Sequence, residues 1–182
     1  AISVGDPDGL SYTYDLDNGA LVQVWKGGFL DATPMWHDRG DGHADPLGSV
    51  LLLGDETPLR QMADTSSTAG DFRLKGYELD VSGYPAFQYA AYGVQITDRL
   101  LPQEQGKWLN REINFDGKAP GVHFRVAAGK HIVAAGPGLW AIDDKKYYVQ
   151  FPGGVTPEIR DSAAGQEMWL PASGAIQYQV IW

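Results

Sequence analysis

Apolar and polar residues alternate along most of this chain, and that period of two restricts the fold more than any other feature. In LNREINF, Leu109, Ile113 and Phe115 share one face with Arg111, while Asn110, Glu112 and Asn114 share the other. In VHFRV, Val122, Phe124 and Val126 stand against His123 and Arg125. Successive side chains of a strand point to opposite faces, so these segments read as strands with one wet face. The same reading covers SYTYDL (Ser11–Leu16), ALVQVW (Ala20–Trp25), RLKGYEL (Arg73–Leu79), PAFQYAA (Pro85–Ala91) and VQITDRLL (Val94–Leu101), and SVLLL (Ser49–Leu53) is a short apolar run. The strand reading also covers KYYVQF (Lys146–Phe151), QEMWL (Gln166–Leu170) and AIQYQVIW (Ala175–Trp182). Asn18-Gly19 between the first two of these predicts a hairpin with a tight type I′ turn, which needs positive φ at both central residues. No segment carries a sustained apolar stripe at helical spacing. About a dozen strands, with turn signals every ~8–12 residues, predict an all-β fold. The expected architecture is a single antiparallel β-sandwich over residues 1–182, jelly-roll-like or supersandwich-like, with no dividing linker and no fixed-period repeat.

Composition narrows the function. With 182 residues, 43% of them apolar and 20% charged, the chain is long and apolar enough for a substantial core. The net charge of −9 disfavours nucleic-acid phosphates and anionic membrane surfaces, which require clustered Lys and Arg. No apolar run approaches the ~18 residues of a membrane span, so no membrane insertion is expected. The absence of cysteine removes disulfides, thiolate nucleophiles, Cys-ligated zinc and covalent haem attachment. A first residue of Ala1 is what signal-peptide cleavage leaves, and the expected location is extracytoplasmic, periplasmic or secreted.

The densest chemistry lies in TPMWHDRGDGHADPLG, Thr33–Gly48, with two His, three Asp, one Arg and one Trp. Pro34, Gly40, Gly42 and Pro46 argue against a helix here, so His37 and His43 are not expected to form a helical metal pair. Asp and Arg in such loops commonly tie down backbone groups, and structural loop-tying is the leading expectation. Catalysis would use His37 or His43 as base, Asp38 or Asp41 as acid or orienter, and Arg39 against developing negative charge. A metal would draw on His37, His43 and Asp45. No cofactor is otherwise expected.

Six Trp and nine Tyr form a heavy aromatic load. Aromatic planes flanked by polar groups can stack on sugar rings. Trp25, Trp36, Trp108 and Trp140, with His37 and Arg39, are the candidate ligand-binding residues, Trp25 and Trp36 meeting at one rim. Trp169 and Trp182 sit in apolar strand patterns and are expected in the core. If LNREINF and VHFRV pair as neighbouring antiparallel strands, Glu112 comes beside His123 and Arg125 on one polar face. The chain has no Gly-x-Ser-x-Gly elbow, no His-Glu-x-x-His and no phosphate-binding Gly-rich loop.

Two stretches, VGDPDGLSYTYDLDNGALVQVWKGGFLDATPMWHDRGDG and GYELDVSGYPAFQYAAYGVQITDRLLP, resemble an uncharacterised β-rich segment of large exported bacterial proteins. Those proteins also carry c-type cytochrome or sugar-dehydrogenase-like modules. The resemblance implies export and an accessory place beside redox or sugar chemistry, within a larger assembly that includes a cytochrome-bearing protein. It carries over no catalytic residues, and this chain holds no Cys-x-x-Cys-His of its own. The expected function is a non-catalytic exported β-sandwich module that binds a glycan or a partner protein. One alternative is a carbohydrate-active hydrolase or lyase using the loop over residues 31–45. Another is a structural subunit of an extracellular redox assembly.

Overall fold

The computed structural model describes residues 1–37, 43–62 and 71–182, with His37 described by its backbone alone. The chain is all-β, with two antiparallel sheets. The smaller contains β1 (Ile2–Gly5), β2 (Leu10–Asp15), β3 (Ala20–Asp31) and β4 (Asp45–Leu52), in that spatial order. One short helix, α1 (Thr33–His37), lies between β3 and β4. The remaining strands are β5 (Leu59–Gln61), β6 (Arg73–Leu79), β7 (Pro85–Ala91), β8 (Val94–Gln103), β9 (Trp108–Gly129), β10 (Ile132–Gly136), β11 (Leu139–Ile142), β12 (Tyr147–Gln150), β13 (Glu158–Ser162) and β14 (Gly165–Ile181). They form a ten-stranded sheet in the order β10-β11-β12-β14-β9-β8-β7-β6, with β13 added beside β14 and β5 beside β9.

The predicted hairpin joins β2 to β3, but its turn differs from the expectation. Residues 16–19 all lie outside the strands, and of the pair Asn18-Gly19 only Gly19 has positive φ. Asp15 stabilises this longer turn: its carboxylate accepts the Asp17 N–H at 2.9 Å and the Asn18 amide at 2.8 Å, and its carbonyl accepts the Gly19 N–H. An Asx-type bond thus replaces the two-residue type I′ geometry.

LNREINF and VHFRV are not neighbouring strands. Both belong to β9, and QEMWL and AIQYQVIW both belong to β14, which pairs with β9 along nearly its whole length. The Gly- and Pro-rich stretch 117–121 resembles a turn, yet the ladder continues past it. β14 shifts register between Pro171 and Gly174 opposite this stretch, so both strands bend together. Glu112 therefore lies opposite Arg99 of β8 and Gln177 of β14, far along the strand from Arg125.

The core lies between the sheets. Leu10, Tyr12 and Tyr14 of β2 face inward, and the Tyr14 ring stacks on Phe87 of β7 at 4.0 Å. Arg111, placed by the alternation among apolar neighbours, is indeed buried. Its guanidinium makes a two-pronged bond to Asp98 of β8, Nε to Oδ1 at 3.0 Å and Nη2 to Oδ2 at 2.6 Å. Tyr14 donates its hydroxyl to the same carboxylate at 2.9 Å.

Burial holds the phenols of Tyr12, Tyr14, Tyr89 and Tyr147 well above the ordinary tyrosine range and raises that of Tyr178 as well. Each keeps its proton in the folded state at a pH where the unfolded chain has begun to lose it. Their joint contribution to stability is complete below about pH 10, the ordinary tyrosine value, and falls as the pH rises further. The urea midpoint is therefore expected to drop steeply above about pH 10, with tyrosinate absorbance appearing only as the chain unfolds. Ionisation of these tyrosines at ordinary pH in the folded protein would contradict this packing.

Candidate functional site

The arm formed by the end of β3, α1 and β4 contains the loop singled out from the sequence. Its base is set by Trp25. This side chain is fully buried, and its indole N–H donates to the carbonyls of Gly28 and Phe29, each at 3.0 Å. Those bonds curl the end of β3 back over the indole, and the Phe29 ring stacks on it at 6.2 Å. The β3–β4 ladder is irregular between Gly27 and Leu30 for the same reason. Two glycines permit the approach of the strands. A Cβ at Gly48 would run into the carbonyl of Lys26, and one at Gly27 would lie 2.6 Å from the carbonyl oxygen of Leu47.

Contrary to expectation, Thr33–His37 is helical. Pro34 sits in the first turn, where a missing N–H leaves no bond unmade. The Asp31 carboxylate caps the turn by accepting the Thr33 N–H at 2.8 Å, and that bonding holds its pKa below the usual carboxylate range. Residues from Asp45 onward continue as β4, with Asp45 opposite Asp31 and Pro46 opposite Leu30.

The loop residues separate accordingly. Asp38, Arg39 and Asp41 lie outside the described residues, as does the His37 side chain. His43 and Asp45 form an ion-pair contact at 3.3 Å, both well exposed. No group of three or more His, Asp or Glu side chains is arranged to hold a metal among the described residues.

The four candidate tryptophans do not form one surface. Trp25 is interior and offers no stacking face, so it cannot meet Trp36 at a rim. Trp108 and Trp140 are half-buried, the latter packed against the core, and the indole N–H of Trp108 is buried without a partner. Trp169 lies in the core as expected, and Trp182 is half-buried with the Lys26 ammonium 4.4 Å from its ring centre. Trp36 alone of the four exposes most of its surface, 85%.

The arm also exposes apolar residues that alternation did not reveal. Met35 is 54% exposed and Leu52 62%, and Phe29, Leu47 and Val50 are exposed as well. In the run SVLLL, Leu51 turns inward while Val50 and Leu52 turn outward. An outer face that is itself apolar erases the polar/apolar contrast, so period two cannot report it. Leu52 continues the outer row Ser3–Thr13–Gln23, where Thr13 Oγ1 bonds Ser3 Oγ at 3.0 Å and accepts the Gln23 amide at 3.1 Å. Along this row the outer face is polar across β1–β3 and apolar at β4, while the neighbouring row Gly5–Ser11–Trp25–Val50 places the buried Trp25 on the same face, under the curled end of β3. Among the described residues β4 is also an edge strand, paired only with β3. Comparison with protein-family models, with curated proteins and with solved structures gives no match, so function is argued from these residues and their geometry.

Proposed function

We propose that the protein is a non-catalytic binding module that holds a partner protein through the arm of β3, α1 and β4. The observation that carries this reading is the exposed edge strand β4, which has no charged residue from Pro46 to Leu52. Exposed edges invite pairing with another chain, and proteins ordinarily blunt them with charge. The edge strand β6 of the large sheet shows that protection: Arg73, Lys75 and Glu78 interrupt its apolar residues. β4 lacks it, and the same arm exposes Trp36 and Met35, residue types enriched where proteins bind one another. A sugar-binding reading of Trp36 needs polar groups around the ring, and the large exposed side chains among the described residues of this arm are mainly apolar. Main-chain pairing along β4, with Trp36 as anchor, is the expected mode of attachment. An extracytoplasmic location, as accessory to redox or sugar-processing machinery, rests on the resemblance of the two quoted stretches.

The test uses the protein as bait against an exported fraction of its native source, followed by titration with the purified partner. Leu52→Lys restores a protective charge to the edge and is expected to weaken binding at least about tenfold, roughly 1.4 kcal/mol. Tyr77→Lys on β6 should leave it unchanged. Binding unaffected by both Leu52→Lys and Trp36→Asp would remove the arm from the interface. Glycan binding abolished by Trp36→Ala would reassign the surface to carbohydrate.

A further inference from the structure

Away from the arm, the segment 53–56 after β4 lines a cleft of about 370 Å³. That size lies within the range of small-molecule sites, ~300–1,000 Å³. The C-terminal end of β9, the β13–β14 hairpin and the turn at Asp143 form its other walls.

Arg125 stands in this cleft with its side chain only 12% exposed. Its Nη1 donates to Glu56 Oε2 at 2.6 Å and to Glu167 Oε1 at 3.0 Å. The two carboxylates are not equivalent. Glu167 is itself nearly buried, belongs to β14, and is shared with Arg60 of β5 at 3.5 Å. Glu56 is 69% exposed and comes from a segment outside any strand. Without Glu56 the guanidiniums of Arg125 and Arg60 would share the single carboxylate of Glu167, with Asp55 and Asp143 elsewhere in the lining. Glu56 therefore stands where an external carboxylate would stand, and the Arg125 bond keeps it ionised below the usual range.

The other polar side chains of the lining accept hydrogen bonds or add a cation, beside Leu53, Ala128 and Ala164. Lys130 also lines the cleft, and its ammonium makes no ion pair among the described residues. Asp143 uses Oδ1 for the N–H groups of Lys130 and His131, at 2.6 and 3.2 Å, and Oδ2 takes no bond among the described residues. Asp55 and Ser162 lie in the same lining. Carboxylates of this kind bind ligand hydroxyls.

We infer that this cleft binds a small hydroxylated carboxylate, a sugar acid in chemical class, whose carboxylate displaces Glu56 from Arg125 while its hydroxyls bond to Asp143 and Asp55. The site is separate from the arm, so this inference stands or falls independently of partner binding.

The probes are glucuronate, with glucose, acetate and putrescine as controls, in calorimetric titrations of the whole chain. Glucuronate is expected to bind more tightly than acetate, and glucose is expected not to bind. Glu56→Gln removes the internal competitor and is expected to tighten glucuronate binding about tenfold, an effect opposite to that of ordinary damage to a site. Arg125→Gln should abolish binding. If that variant fails to fold, Arg125→Lys, which keeps the charge beside Glu167 but loses the planar fork, should weaken binding about tenfold. Glucuronate bound no more tightly by Glu56→Gln than by the unsubstituted chain would overturn the inference. So would glucose binding as well as glucuronate, or putrescine binding in its place.

Discussion

Replacing Asp98 by alanine is expected to destabilise the fold by about 3–5 kcal/mol. Asp98 is completely buried, and Arg111 is nearly so. In the variant the guanidinium keeps the Tyr178 hydroxyl at 3.2 Å and the Gly19 carbonyl at 3.3 Å, but loses its counter-charge. It then lies as an unpaired cation beside the Phe124 and Tyr14 rings, 5.1 and 6.0 Å from their centres. Ring quadrupoles offset only part of that cost. The Tyr14 hydroxyl loses its acceptor too, in a region where the buried Tyr12 hydroxyl already has none. At ~2–4 °C per kcal/mol for a chain of this size, the melting temperature should fall by roughly 6–20 °C. The double variant Asp98→Leu, Arg111→Met removes both charges and is expected to recover most of the loss, because a buried pair is worth little over apolar groups of similar volume. Thermal and urea unfolding followed by circular dichroism measures both. A loss below about 1 kcal/mol for Asp98→Ala would mean that water reaches the pair.

The second large effect separates the two tryptophans that flank the arm. Trp25→Ala is expected to cost about 3–5 kcal/mol. It removes a fully buried ring, the stacking surface under Phe29, and the donor shared by the Gly28 and Phe29 carbonyls. The end of β3 then has nothing to curl over, so α1 and β4 should loosen with it. Trp36→Ala removes a ring that is mostly in water and should change stability by no more than about 0.5 kcal/mol. Its effect should appear in partner affinity alone. Equal destabilisation by the two substitutions would show that Trp36 packs against the fold and is not a free anchor.

What the sequence revealed follows from what period two measures. It placed Arg111 among inward residues, put Trp169 in the core and found most of the longer strands, but not the short β1, β5, β10, β11 and β13, which span too few residues for a periodic signal. It did not show that 108–129 is one strand. Gly117 and Gly121 both adopt positive φ there, as turn glycines do, and only the matching break in β14 shows that the pair bends together. It also missed the apolar outer face of β4, where contrast between faces vanishes. Helix α1 depends on a local cap, Asp31 to Thr33, in a segment too short for any periodic signal. The charged cleft depends on Glu56, Arg125 and Glu167, whose separations in the chain no local pattern connects.

The most direct test of the arm is amide hydrogen exchange, comparing the free protein with the protein saturated by its partner. Pairing along the open edge predicts new protection at β4 amides between Leu47 and Leu52, with β6 unchanged. Protection confined to other strands, with β4 exchanging as in the free protein, would contradict the assignment of this edge as the binding face.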